Sequence, residues 1–221
     1  MDTASTSGAP PVAPPAAERV YAEVKAAILD RSLPGGQLVT EGELAARTGV
    51  SRTPVREGLL RLEAEGLVRL LPKRGALVVP VSPEEVEDVL EARELVEVHA
   101  AVRAWDRRAE FTGELAAHLE RMRAAQAAGD AWEFMGADRA FHATVVRAAG
   151  NRVLADLYDG LRDRQMRMGV ANMRGSADRV AVALADHEAL LEVARTGDLR
   201  TWRELVRRHV RSAGDRLRST R

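Results

Sequence analysis

Apolar residues recur every three to four positions along most of the chain, the spacing of amphipathic helices. Val20, Val24, Ala27 and Ile28 give one such face over residues 16–31, and "LPGG" at 33–36 ends it. Thr40, with Glu43 three residues on, has the capping-box pattern for a short helix ending near Thr48-Gly49. Ser51 is then in place to cap a second helix, with Pro54 in its first turn, where no intrahelical N–H is lost. Leu44, Ala45, Val50, Val55, Leu59 and Leu62 would pack these two helices against the first. Beyond Gly66 the pattern changes: "LVRLLPKRGALVVPV" has β-type runs on either side of "PKRG", which predicts a two-stranded hairpin.

From "SPEE" at 82–85 onward only helical periods remain. They predict helices near 83–109, 112–128, 130–149, 151–171, 177–196 and 198–217, with Gly129, Gly150, Gly175 and Gly197 at or near the breaks. Residues 1–15, rich in Pro, Ala, Ser and Thr, predict a disordered tail. The expected fold is mainly α: a winged helix-turn-helix over 16–80, then an antiparallel bundle of about six helices over 81–221.

Polar residues on the bundle's apolar stripes change the picture. One stripe reads Met135, Asp138, His142, Val145, Ala149; a second Val180, Leu184, His187, Leu191, Ala194; a third Trp202, Leu205, Val206, His209, Ala213. Burying a carboxylate and three imidazoles is costly unless they are paired or coordinated. A divalent cation held by three nitrogens and one oxygen satisfies all four. His118 lies on the stripe of Phe111, Leu115 and Met122, is expected to have no carboxylate one turn away, and is read as structural, as is His99. Arg93 interrupts Val86, Val89, Leu90, Val96 and Ala100. It snorkels to the rim, pairs with a buried acid, or clamps an anion beside the metal.

Composition narrows the class. The 221 residues hold 33 basic and 33 acidic side chains, so the chain is not generally basic, and they hold no cysteine, which excludes disulfides and thiolate ligands. No apolar run approaches the roughly 20 residues of a membrane span. The N-terminus lacks a basic region followed by an apolar one, so a cytoplasmic protein is expected. Charge is uneven, however. Arg47, Arg52, Arg56, Arg61, Arg69, Lys73 and Arg74 face only Glu57, Glu63 and Glu65, as a DNA footprint or as a solvated helix face. Arg52 and Arg56, spaced i, i+4, share a face at the start of the second helix, the end a recognition helix pushes into the major groove. Arginine there can bond guanine O6 and N7 in a bidentate way. Ser51 and Thr53 suit phosphate oxygens, Lys73 and Arg74 can follow the backbone or enter the minor groove, and Gly75 would let the wing approach closely. Arg61 points elsewhere and is assigned to the surface or to intramolecular pairing.

"GVSRTPVRE", "RLEAEGLV" and "KRGALV" resemble the DNA-binding domain of GntR-family transcriptional regulators over about 40 residues. The resemblance implies DNA contacts by Arg52, Thr53, Arg56 and Gly75. Many members carry arginine where this chain has Gly42, so one usual contact is missing. "EARELVE", "DRAFH", "DHEALL" and "RRHV" resemble the FCD ligand-binding domain of the FadR subfamily, in its VanR-like branch. That implies metal ligation by Asp138, His142, His187 and His209, zinc or nickel as the metal, and a small organic acid contacted by Arg93. The expectation is a homodimeric regulator, a repressor by resemblance, on a palindromic operator. A metal-dependent hydrolase or lyase with a DNA-binding module is the alternative, against which no HExxH, general base or nucleophile motif is found. An architectural DNA-binding protein with a structural metal is a third reading and leaves Arg93 unexplained.

Overall fold

The periodic stretches form helices and the "PKRG" segment a tight turn in the computed structural model, which describes residues 14–218. Most of the expected N-terminal tail therefore lies outside the described residues. The chain divides into two compact units, one holding residues up to Ile28 together with Leu33–Val79, the other Leu29–Ser32 and Pro80 onward.

In the first unit, helix α1 (Ala16–Leu29) is followed by strand β1 (Leu38–Val39), α2 (Glu41–Thr48), α3 (Arg52–Ala64), β2 (Val68–Leu71) and β3 (Gly75–Val78). The expected capping box is present: the Thr40 hydroxyl accepts from the Glu43 amide, and Glu43 reaches back to the Thr40 amide at 2.7 Å. Gly49, at φ 67°, ends α2 in the left-handed conformation and turns the chain into α3. Ser51 departs from expectation. It holds the N-cap position in extended backbone, yet its side chain makes no capping hydrogen bond. A cap oxygen accepts from the second or third amide of its helix, and the third residue here is Pro54, which has none.

The expected two-stranded hairpin is present as β2 and β3, and β1 adds a third strand to it. Three antiparallel strands run in the order β1-β3-β2, with Val39 opposite Ala76 and Leu71 opposite Gly75. A two-residue strand has no periodicity to read, so β1 leaves no mark in the sequence. Val20, Val24, Leu44, Val55, Leu59 and Leu62 close the core with Val68, Ala76 and Val78.

The second unit holds α4 (Pro83–Arg103), a 3-10 turn at Trp105–Arg107, α5 (Arg108–Ala128), α6 (Ala131–Ala148), α7 (Arg152–Gly160), α8 (Arg162–Met173), α9 (Ala177–Thr196) and α10 (Leu199–Arg218). The expected helix over 151–171 is two helices. At Gly160–Leu161 the ladder breaks, and the Leu161 amide bonds back to Tyr158 at 3.1 Å. Glycine there removes side-chain support for the helix while the apolar period runs on across the break. α5 packs against α6 and α9, and α10 against α4, where the Trp202 indole donates to the Ala101 carbonyl at 3.1 Å. No helix among the described residues is long and apolar enough to cross a membrane.

Candidate nucleic-acid interface and metal centre

The start of α3 presents Ser51, Arg52, Thr53 and Arg56 to solvent, and Arg47 is exposed at the end of α2. Arg56 donates from Nε to Glu41 Oε1 at 2.7 Å, which holds the Glu41 carboxyl below its ordinary range. Arg52 extends over the start of α2: a Cβ on Gly42 would lie 3.8 Å from its Nη2. Arg47 Nε stands 3.5 Å from Glu23. Lys73 and Arg74 are exposed at the hairpin turn, and Lys73 adopts a φ of 62° there. Arg61 pairs with Glu18 and stacks 3.9 Å from the centre of the Tyr21 ring, the second of the two roles expected of it. Gly75 has a reason to be glycine inside the protein itself. Its φ is 108°, and a Cβ would collide with the Val39 carbonyl of β1.

In the bundle, Asp138 and His142 from α6, His187 from α9 and His209 from α10 come together. Each offers a ligand atom within 4.8 Å of the others, and all four are buried. Their polar atoms are oriented from behind. His187 Nδ1 lies 2.7 Å from the Ala183 carbonyl, one turn earlier on α9, so it carries the proton and Nε2 keeps its lone pair. His142 Nδ1 lies 2.9 Å from Glu97 Oε2, and His209 Nδ1 lies 3.5 Å from Asp186 Oδ2. The Nε2 atoms therefore face inward. His142 Nε2 is 3.1 Å from both His209 Nε2 and His187 Nε2, and His187 Nε2 is 3.4 Å from Asp138 Oδ1.

Protons are poor company for this cluster. Burial, then His209, pushes His187 down to about 3, and burial also lowers His209. Asp138 stays below its ordinary value: burial opposes ionisation, but His187, His142 and Arg93 outweigh it. Lone pairs and a carboxylate thus converge with little to separate them. Ligand bonds of about 2.0–2.1 Å to one cation would set donors roughly 3 Å apart, so the residues present fit a divalent metal with nitrogen and oxygen ligands.

Arg93 has the buried acid among its expected alternatives. Its Nε donates to Glu97 Oε1 at 2.7 Å, and the Tyr158 hydroxyl donates to the same oxygen at 3.0 Å. Glu97 is only 2% exposed. Arg93 and His142 hold its carboxyl well below the ordinary range despite burial, and Glu97 in turn raises Arg93. Glu97 and His142 border a cavity otherwise lined by apolar side chains, Phe141, Val145, Leu190 and Trp202 among them. Sequence reading assigned Glu97 no role, although its spacing of four from Arg93 marks it as a partner on one helix face. Tyr158 and Asp186 were also missed, and tertiary contact alone reveals them. His118 sits apart from the cluster, but contrary to expectation a carboxylate does lie one turn away: Glu114 Oε1 is 3.5 Å from its Nε2, and the Thr144 hydroxyl is 3.3 Å from it.

Comparison with known proteins adds independent findings. Residues 16–78 match the family described as "Bacterial regulatory proteins, gntR family", and residues 88–212 match the FCD domain. An uncharacterized HTH-type transcriptional regulator in an unstable DNA locus of Streptomyces ambofaciens is 34% identical over 207 residues, 91% of this chain and 85% of that protein. The gluconate operon transcriptional repressor of Bacillus licheniformis is 27% identical over 185 residues, 81% of this chain and 76% of that repressor. E. coli McbR/YncC shares the fold, with a TM-score of 0.72 at 21% identity over 94% of this chain and 99% of its own.

Proposed function

From the premise that the chain belongs to the GntR family of bacterial regulatory proteins and carries an FCD domain, which makes it a transcriptional regulator and not an enzyme, we propose that it is a metal-dependent sensor of a small carboxylate. On this reading residues 16–80 bind DNA, residues 81–221 bind metal and effector, and the cytoplasmic protein works as a homodimeric repressor on a palindromic operator. The observation that carries the sensing part is the convergence of four buried ligand atoms within 4.8 Å, drawn from three helices.

Asp138, His142, His187 and His209 hold the cation, zinc or nickel. When bound, the cation supplies concentrated positive charge for an anionic guest. Arg93 offers the guest carboxylate its Nη nitrogens, while its Nε stays on Glu97. At the other end of the chain, Arg52 and Arg56 read base edges from the major groove, with Glu41 steadying Arg56. Ser51, whose hydroxyl its own helix does not use, joins Thr53, Arg47, Lys73 and Arg74 at phosphates. Gly75 keeps the wing tight against β1 so that the turn projects toward DNA. Two-fold protein symmetry would meet two-fold operator symmetry.

The test is to select an operator from a random duplex pool, then titrate it by fluorescence anisotropy with metal-loaded protein and a panel of small mono- and dicarboxylates. One acid should shift operator affinity by about 5–150-fold, and metal removal should abolish that shift. Operator affinity untouched by any acid would overturn the sensing half; failure to select any operator would overturn the DNA-reading half.

A further inference from the structure

Glu97 lies at the meeting point of α4, α6 and α7 and is absent from the proposed ligand set. We propose that it is the positioning residue of the metal centre: it fixes His142 in the tautomer whose Nε2 faces the cation, and ties that ligand to Arg93 and Tyr158. This inference rests on the metal reading above.

The three histidines are not oriented alike. The helix's own Ala183 carbonyl, at 2.7 Å, determines the tautomer of His187. His209 Nδ1 stands 3.5 Å from Asp186 Oδ2, a longer and looser hold. His142 needs its lone pair inward most of all, because its Nε2 lies 3.1 Å from each of the other two. What faces its Nδ1 is Glu97 Oε2, at 2.9 Å. The contact is an ion-pair approach whose N–H direction lies off the hydrogen-bond line, but a carboxylate this close accepts only, so it favours the proton on Nδ1 and a bare Nε2. Carboxylate–histidine–metal relays work in this way, orienting the ring and raising its basicity.

The carboxylate is itself prevented from turning. Arg93 and Tyr158 both donate to Oε1, at 2.7 and 3.0 Å, which leaves Oε2 for the imidazole. A role as simple counter-ion to Arg93 would need only Oε1. The placement of the second oxygen against a metal ligand is what the counter-ion role leaves unexplained.

Glu97→Gln separates the two roles. The amide oxygen can still accept from Arg93 and Tyr158, but the amide nitrogen then meets His142 Nδ1 as a donor. His142 is driven to the other tautomer, with a proton where the cation should bind. Metal-stripped chain and variant are titrated with Co(II) against a chromophoric chelator, and the visible d–d absorption is recorded. The unaltered protein should bind one ion per chain. E97Q should bind about 10–100-fold more weakly, with an altered cobalt spectrum. Tyr158→Phe, which removes a bond to Oε1 only, should keep the unaltered spectrum. Should E97Q fail to fold, Glu97→Asp, with its carboxylate withdrawn by one methylene, carries the same expectation. Equal affinity and an identical spectrum in the Glu97 variant would overturn the positioning role and leave the metal reading standing. Absence of cobalt binding by the unaltered protein would overturn both.

Discussion

A histidine that gives its Nδ1 proton to a carbonyl has settled which nitrogen it can offer elsewhere, and His187 makes that choice inside its own helix. It is also wholly buried and touches the ring of Phe141 edge-on, with centroids 4.9 Å apart. His187→Ala should therefore remove metal and effector response while the purified protein still recognises its operator, since the helix-turn-helix lies in a separate compact unit. Metal analysis of the variant decides the matter, and unchanged content would rule out the assigned ligand set. Gly75 gives a second expectation at this scale. Alanine there meets both a φ of 108° and the Val39 carbonyl, so Gly75→Ala should cost about 1–3 kcal/mol and lower the melting temperature of the N-terminal unit. A melt that matches the parent would mean that the wing relaxes around the methyl group.

Helices were read from the sequence with more success than the places where they stop. The stripes of α6, α9 and α10 brought the aspartate and three histidines to one point because a period of 3.6 decides which face is buried. The same period ran straight through Gly160, where a ladder break costs little and leaves the apolar face in register, so α7 and α8 looked like one helix. β1 was invisible because its two residues are held by pairing with β3 and not by any pattern of their own. Glu97 lies between apolar Val96 and Ala100, so periodicity alone does not single it out, although its spacing of four from Arg93 is that of a helix-face pair. At this scale α3 makes its own prediction. Arg52→Ala should cost about 1–3 kcal/mol of operator binding and relax preference at one base position, measured over a set of single-base operator variants. A uniform loss across all variants would reassign Arg52 to phosphate.

For the whole molecule, proton binding and stability are linked through the buried cluster. His187 is held at about 3 when folded, against an ordinary 6.5, so between these values the unfolded chain binds the proton and the folded one does not. Stability of the metal-free protein should thus rise with pH through that window and fall as pH drops from about 6.5 toward 3, by up to ~1.4 kcal/mol per pH unit from this group. Asp138 and Glu97, both held below their ordinary values, add to the loss once pH falls below the carboxylate range. Denaturant midpoints taken across pH 4–7 on chelated protein would read it, and a flat profile would mean that the cluster rearranges to accept protons. Metal should raise those midpoints by mass action, about 4 kcal/mol at a thousandfold excess over its dissociation constant.

The four proposed metal ligands are between 0% and 8% exposed, and that seclusion has a kinetic meaning. An external chelator has no atom of the centre to grasp while the bundle is closed. Loss of a bound ion would have to wait for the helices to part, so its rate should level off as chelator is added in excess, at the frequency with which the fold breathes. The chain would then retain its inorganic partner through changes in supply that are brief compared with that interval, and report only on the guest that comes and goes beside it.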